Sequence, residues 1–248
     1  MALHAAALAG VLARPRHWRW AAGAVVLDQA LLTGAGMLPR SRWLGPNLSR
    51  LEDPGRAVAL TFDDGPDPEV TPRVLDMLDE AGMRASFFCI GARARAQAAL
   101  VGEIARRGHT VENHSMNHLY RFAALGPRAL AREVMTAQAI LADCTGAPPV
   151  WFRAPMGLRS PLLQPVLESA GLRLASWSRR ALDGVSGDQG AAVRRLTRGL
   201  AAGDVLLMHD GNCARDREGR PVVLSAMPPL LLRLRQSGLL GRALPRAA

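Results

Sequence analysis

Downstream of Pro54 the chain alternates between two hydrophobic periods. Short apolar runs read as strands at 57–62, 85–90, 110–113, 150–153, 172–177 and 204–208, with a weaker one near 239–244. Between them lie amphipathic stretches near 71–81, 92–107, 127–143, 160–170, 190–202 and 222–236. In "VLDMLDEAG" and "LAREVMTAQAILAD" the apolar spacing follows the helical period. Gly82, Gly108, Gly171, Gly203 and Gly238 each fall just past a helical stretch, where a left-handed residue closes the last turn. Helix, glycine and strand in repeated order predict β/α units around a parallel sheet. Seven such units suffice to close, or nearly close, a barrel. The expected class is therefore α/β, with no internal repeat or low-complexity linker after residue 54.

Residues 1–50 stand apart as an apolar and basic extension to a domain expected over 51–248. "ARPRHWRW" precedes an apolar run at 21–38, "AAGAVVLDQALLTGAGML". Arg14, Arg16 and Arg19 before the run, with Trp18 and Trp20 at interfacial positions, read as a membrane anchor with its N-terminus inside. The run is about 18 residues long, at the short end for a span. Asp28 in its middle opposes insertion by roughly 2.5–3.5 kcal/mol, and Arg40 and Arg42 after it weaken the charge asymmetry. The alternative is a helix packed on the soluble domain.

Composition adds exclusions. About half of the 248 residues are apolar, ample for a core. The net charge is +10, yet every basic residue is arginine, a coding bias as much as a selected surface. No dense basic block is interleaved with aromatics, so nucleic acid is not the expected partner. Cys89, Cys144 and Cys213 are odd in number and form no C-x-x-C, which excludes a zinc ribbon and a disulfide scaffold. Cys89 reads as a buried strand residue.

In β/α barrels, reactive side chains gather at the C-terminal ends of the strands. Asp63 and Asp64 follow the first strand here, and His114 and His118 the third. Arg153 ends the fourth, Asp183 follows the fifth, and His209 with Asp210 ends the sixth. His114 and His118 are spaced i, i+4, which on a helical turn puts both imidazoles on one face. With a carboxylate from another strand end they form a three-ligand site with an open position, as catalytic zinc sites do. One member of the Asp63–Asp64 pair then holds the metal, and the other takes a proton from its water.

"TFDDGP", "HSMNH", "RAPMG", an Asp after a Trp-containing strand, and "LLMHDG", in this order, resemble the polysaccharide deacetylases, carbohydrate esterase family four, over about residues 55–245. The resemblance implies a distorted (β/α)7 barrel. It implies that Asp63 is the general base and that Asp64, His114 and His118 hold one divalent metal ion. Zinc is the expected ion, with cobalt, nickel and iron as alternatives. Arg153 is implied to pair with and orient the base, and the Met156 backbone N–H to bind the oxyanion. His209 is implied as the general acid, tuned by Asp183. Pro155, Met156 and Leu207 are implied to meet substrate. Two positions depart from the family pattern: Met156 stands where Tyr is usual, and Gly184 follows Asp183 where Trp is usual, which removes one apolar wall of the acyl pocket.

The expected reaction is hydrolysis of an N-acyl group, acetyl first, from an amino sugar in a glycan. A lipid-linked amino sugar as substrate of a deformylase or deacetylase is the nearest alternative, and a catalytically silent glycan-binding homologue a more distant one. The anchor, taken as real, puts the domain in the periplasm or cell envelope; without it the protein is cytoplasmic. Other polar residues take blander readings. Asp67 suits a turn, Asn113 and Ser115 the loop around the histidines, and Asp210 a supporting position. Asp188 suits a helix N-cap, Trp151 and Trp177 the core, His109 an edge, and Arg159 and Arg179 a solvated face.

Overall fold

The computed structural model describes residues 14–246 together with residues 7 and 9. The rest of the first thirteen residues, part of the expected N-terminal extension, lies outside the described residues, as do 247 and 248. Eight parallel strands form one curled sheet: β1 (Ala57–Asp63), β2 (Ser86–Cys89), β3 (Thr110–Asn113), β4 (Trp151–Phe152), β5 (Arg173–Leu174), β6 (Arg179–Arg180), β7 (Val205–His209) and β8 (Leu240–Arg242). Their order is β5-β4-β3-β2-β1-β7-β6, with β8 paired to the first half of β1. The helices are α1 (Trp18–Met37), α2 (Thr71–Glu80), α3 (Gly91–Ala96), α4 (Ala98–Arg106), α5 (Pro127–Thr145), α6 (Leu163–Ser169), α7 (Gln189–Thr197) and α8 (Val222–Gln236). This is the distorted (β/α)7 barrel. The stretch expected as one helix at 92–107 is two, broken at Gln97, whose φ and ψ of −127° and 42° are not helical.

β5 and β6 are two halves of one bent strand. Arg173 and Leu174 pair with β4, and Arg179 and Arg180 pair with β7. The bend between them leaves a gap in the barrel wall whose backbone groups need partners. Residues 48–51 fill it. The Leu48 N–H donates to Leu174 O and its carbonyl accepts the Ser176 N–H, while the Leu51 N–H donates to Gly203 O. The Arg50 guanidinium pairs with buried Asp204 at 2.5 Å. Asp204 also accepts from Arg179 at 2.6 Å, so Arg179 is not on a solvated face. Arg159 is not either: it is buried and donates to Ser41 O. His109 is likewise buried rather than at an edge, its Nδ1 accepting the Ala85 N–H.

β1 is buried at every position, as a parallel strand covered on both faces is. Alternation along it decides what faces where. Val58, Leu60 and Phe62 pack outward with Leu75, Leu78, Met227 and Leu230 of α2 and α8. Ala57 and Ala59 turn inward with Phe88, Trp151, Trp177, Val205 and Leu207. By the same parity Thr61 and Asp63 face the barrel interior.

No helix among the described residues is long and apolar enough to cross a membrane. The expected span at 21–38 is thereby corrected: its many Ala and Gly residues and Asp28 keep α1 short of the required apolarity. Among the described residues, the fully buried positions of α1 lie in its last turn. There Ala35 and Gly36 are buried and Gly36 O accepts the Arg159 N–H.

Candidate metal centre and active site

Six non-glycine residues among those described have left-handed backbone: Asp64, Ser115, His118, Met156, Leu182 and Asn212. Each such residue is strained by about 1–2 kcal/mol. Five line one cavity of about 310 Å³ at the C-terminal rim of the barrel, and Ser115 lies between the two histidines. Strain is concentrated where side chains must be aimed. At Asp64 it ends β1 and overrides strand alternation, so that Asp63 and Asp64 reach the same rim.

His114 and His118 follow β3 in a loop, not on a helical turn. They converge all the same, through a loop and not through helical spacing. Asn113 Oδ1 accepts the Ser115 N–H, Ser115 Oγ accepts the His118 N–H, and the left-handed residues 115 and 118 fold the loop back. The imidazole centroids lie 4.9 Å apart. His114 Nδ1 lies 2.8 Å from the Arg153 carbonyl, which fixes the proton on Nδ1 and leaves the Nε2 lone pair free.

His114 Nε2 and His118 Nε2 stand 3.2 and 3.3 Å from Asp64 Oδ1. The three ligand atoms lie within 4.8 Å of one another. Two bonds of about 2.0–2.1 Å meeting at a tetrahedral angle span about 3.3 Å, so this set fits a zinc-sized cation. Asp64 Oδ1 is buried and without a conventional hydrogen bond, as a ligand oxygen is. Its partner Oδ2 accepts from Asn212 Nδ2 at 3.0 Å. Arg93 donates to both the Asp64 carbonyl and Asn212 Oδ1. Burial works to raise the Asp64 pKa, but the close approach of His114 first, and then of His118 and His209, outweighs it. They hold the carboxyl well below the usual range.

Asp63 stays out of the ligand trio, with its Oδ2 at 3.9 Å from His114 Nε2. Its Oδ1 accepts from Arg153 at 2.6 Å inside the barrel. Its register partner on β7 is His209. Both oxygens of buried Asp183 are committed to that residue: Oδ1 to His209 Nδ1 at 2.8 Å and Oδ2 to the His209 N–H at 2.9 Å. Burial works to lower the His209 pKa. The hydrogen bond and charge of Asp183, with Asp63 and Asp64 beyond, overcome it and push the imidazole up to about 9.

Met156 and Leu207 line the cavity. Pro155 does not: it is buried in the turn over 155–157 that presents Met156, so its expected contact with substrate is corrected to support of that turn. Trp177 is both core and cavity wall. Asp67 caps its turn, Asp188 caps α7, and Asp210 accepts from Thr71 under the 63–66 turn, as expected. Burial raises the Asp210 carboxyl to about 7. Sequence reasoning missed Asn212, Arg93, Tyr120 and Arg180. The first two act through a fold-dependent network, and the last two line the cavity as single residues of common type.

Comparison with known proteins places the chain in a family. A family model for polysaccharide deacetylases matches residues 50–175. A chitooligosaccharide deacetylase of Sinorhizobium fredii is 35% identical over 197 residues, covering 77% of this chain and 91% of its own. This chain belongs to the polysaccharide deacetylase family. A peptidoglycan-N-acetylglucosamine deacetylase of Bacillus cereus is 30% identical over 79% of this chain and 87% of its own. Among solved structures, a family 4 carbohydrate esterase from Streptomyces lividans in complex with acetate superposes with a TM-score of 0.68. It is 31% identical, over 75% of this chain and 92% of that one. A family 4 pseudoenzyme from Bacillus anthracis shares the fold at 18% identity, with a TM-score of 0.72 over 80% of this chain and 67% of its own. As a member of a deacetylase family, the protein is a hydrolase of amide carbon–nitrogen bonds.

The network predicts an effect for a residue that bears no metal. Asn212→Ala removes the hydrogen bond that aims Asp64, so divalent-ion affinity should fall about 10–100-fold with the fold intact. Competition of zinc against a chelating dye, alongside circular dichroism, measures it; unchanged affinity contradicts the assignment.

Proposed function

We propose that the protein removes an N-acyl group, acetyl first, from an amino sugar of a glycan, using one divalent metal ion held by Asp64, His114 and His118. One observation carries the reading. Asp63 and His209 are register partners at the same rim, beside the ligand trio, and each has its own buried partner of opposite charge. That is how an acid and a base are kept distinct within one site. The pseudoenzyme neighbour shows that the fold alone does not separate enzyme from silent homologue; the complete side-chain set supports the enzyme.

A bound divalent cation supplies an acidified water and polarises the amide carbonyl. Zinc suits the ligand spacing, and cobalt, nickel and iron are accepted by the same donors. Asp63, clamped by Arg153, takes the proton of the attacking water. The Met156 backbone, left-handed at the cavity edge, offers its N–H to the developing oxyanion. His209, kept protonated by Asp183, delivers a proton to the departing amine.

A membrane-presented substrate is favoured by the N-terminal helix. Trp18, Trp20, Val26, Leu27, Leu31, Met37, Leu38 and Trp43 are all exposed. Arg14, Arg16, Arg19, Arg40 and Arg42 border them. Exposed apolar side chains spread around the helix and just beyond it, with arginines at both ends, suit contact with an anionic bilayer surface. This supports the cell envelope as the location and a lipid-linked amino sugar as one substrate form. Sedimentation with vesicles containing phosphatidylglycerol should carry the protein down. Vesicles of phosphatidylcholine alone, or replacement of Trp18, Trp20 and Trp43 by serine, should leave it in solution; no difference between these arms would remove the surface assignment.

Two variants test the chemistry. Asp63→Asn should keep its metal and lose about 10²–10⁴ in kcat for acetate release from N-acetylated chito-oligosaccharides or peptidoglycan fragments; retained turnover takes the base role from Asp63. His209 works protonated, so activity falls as pH rises through its raised pKa. Asp183→Asn removes the charge that raises it, and the alkaline limb of kcat/KM should move to lower pH by a unit or more. An unmoved limb assigns the acid elsewhere.

A further inference from the structure

The cavity wall built by residues 180–185 differs in kind from the metal-binding floor. Gly184 sits against the His209 imidazole, yet its φ is ordinary and a Cβ there would meet the ring at 3.4 Å, normal contact. Neither backbone nor packing demands glycine; its effect is to leave open space beside His209. Arg180 lines the same wall. Its guanidinium lies 5.9 Å from the Trp177 ring and makes no hydrogen bond or ion pair among the described residues. The carboxylate that acts on it electrostatically, Asp183, has both oxygens committed to His209. A second cation, Arg195, stands close enough to add to the positive field.

Three other arginines near the barrel mouth are spoken for. Arg153 holds Asp63, Arg93 holds the Asp64 carbonyl and Asn212, and Arg179 holds Asp204. Arg180 is exposed at the cavity rim, hydrated in the free protein and held by no protein partner among the described residues, so its planar fork is available to a planar or tetrahedral anion on the substrate. We infer that Arg180 and the space over Gly184 form an anion subsite, and that the natural substrate is an acylated amino sugar carrying a carboxylate or phosphate near the acylated nitrogen. This rests on the deacylase reading and narrows it from amino sugars in general to anionic ones. A neutral chitin-like oligomer would leave the guanidinium unmatched, whereas an ether-linked carboxylate or a sugar phosphate would satisfy it.

Equilibrium binding separates this inference from the reaction itself. Calorimetric titrations would compare N-acetylglucosamine, N-acetylglucosamine 1-phosphate and N-acetylmuramic acid on zinc-loaded wild type, Arg180→Ala and Arg180→Lys. Wild type should bind at least one of the two anionic sugars tenfold or more tightly than the neutral one, and which one identifies phosphate or carboxylate. Arg180→Ala should bring that ratio close to one, and Arg180→Lys should restore part of it. In turnover the loss should fall on KM for the anionic substrate rather than on kcat. An equal affinity of wild type for all three sugars overturns the subsite, as does a preference that survives in Arg180→Ala. Absence of acyl release from every sugar, with the binding preference intact, would instead count against the deacylase reading alone.

Discussion

A guanidinium buried inside the barrel holds the reactive rim together. Arg153 is only 1% exposed and lies 4.0 Å over the Phe88 ring. Burial of a charge that deep is tolerated only with full pairing. Arg153 donates to Thr61 Oγ1 and Asp63 Oδ1 on β1, and to the Ala175 and Ser176 carbonyls at the bend between β5 and β6. Its own carbonyl meets His114 Nδ1. One residue therefore locks the bent strand, aims the candidate base through its side chain and sets the tautomer of a candidate ligand through its backbone.

Around that clamp, like charges that would repel are kept useful by separate partners. Asp63 is held by a cation from β4, and Asp64 by two imidazoles and an amide. Asp183 spends both oxygens on one histidine. The left-handed residues have a related role: each costs about 1–2 kcal/mol, and five of the six line the same cavity while Ser115 shapes the loop between the two histidines. A barrel whose outward face is well packed by α2 and α8 can carry that cost, because the strain is confined to the loops at one end.

The floor and the walls of the cavity carry different information. The floor, with its carboxylates and imidazoles, is where this chain matches the family motif by motif. The wall at residues 180–185 carries Gly184 beside the His209 imidazole and an exposed arginine, Arg180. In the proposed reading, floor chemistry breaks the bond and wall chemistry selects the molecule that is admitted. Ahead of the barrel, residues 48–51 close the wall while the helix before them leaves many of its apolar side chains exposed.

Much of this was determined by local sequence. Alternating periods of two and 3.6 placed seven of the strands' positions and most helices, because side-chain burial repeats with the backbone. The order of acidic, histidine and arginine residues after those strands placed the candidate site, because parallel strands carry their C-terminal ends to one rim. What the tertiary structure decided depends on contacts between distant segments. The bend that splits one strand into β5 and β6 follows from Leu48 and Arg153 gripping it. The loop that converges His114 and His118 follows from left-handed turns rather than from a helix. Asn212, Arg93 and Arg180 gained their places only when residues far apart in the chain were brought together, and no pattern of neighbours along the chain encodes such a meeting.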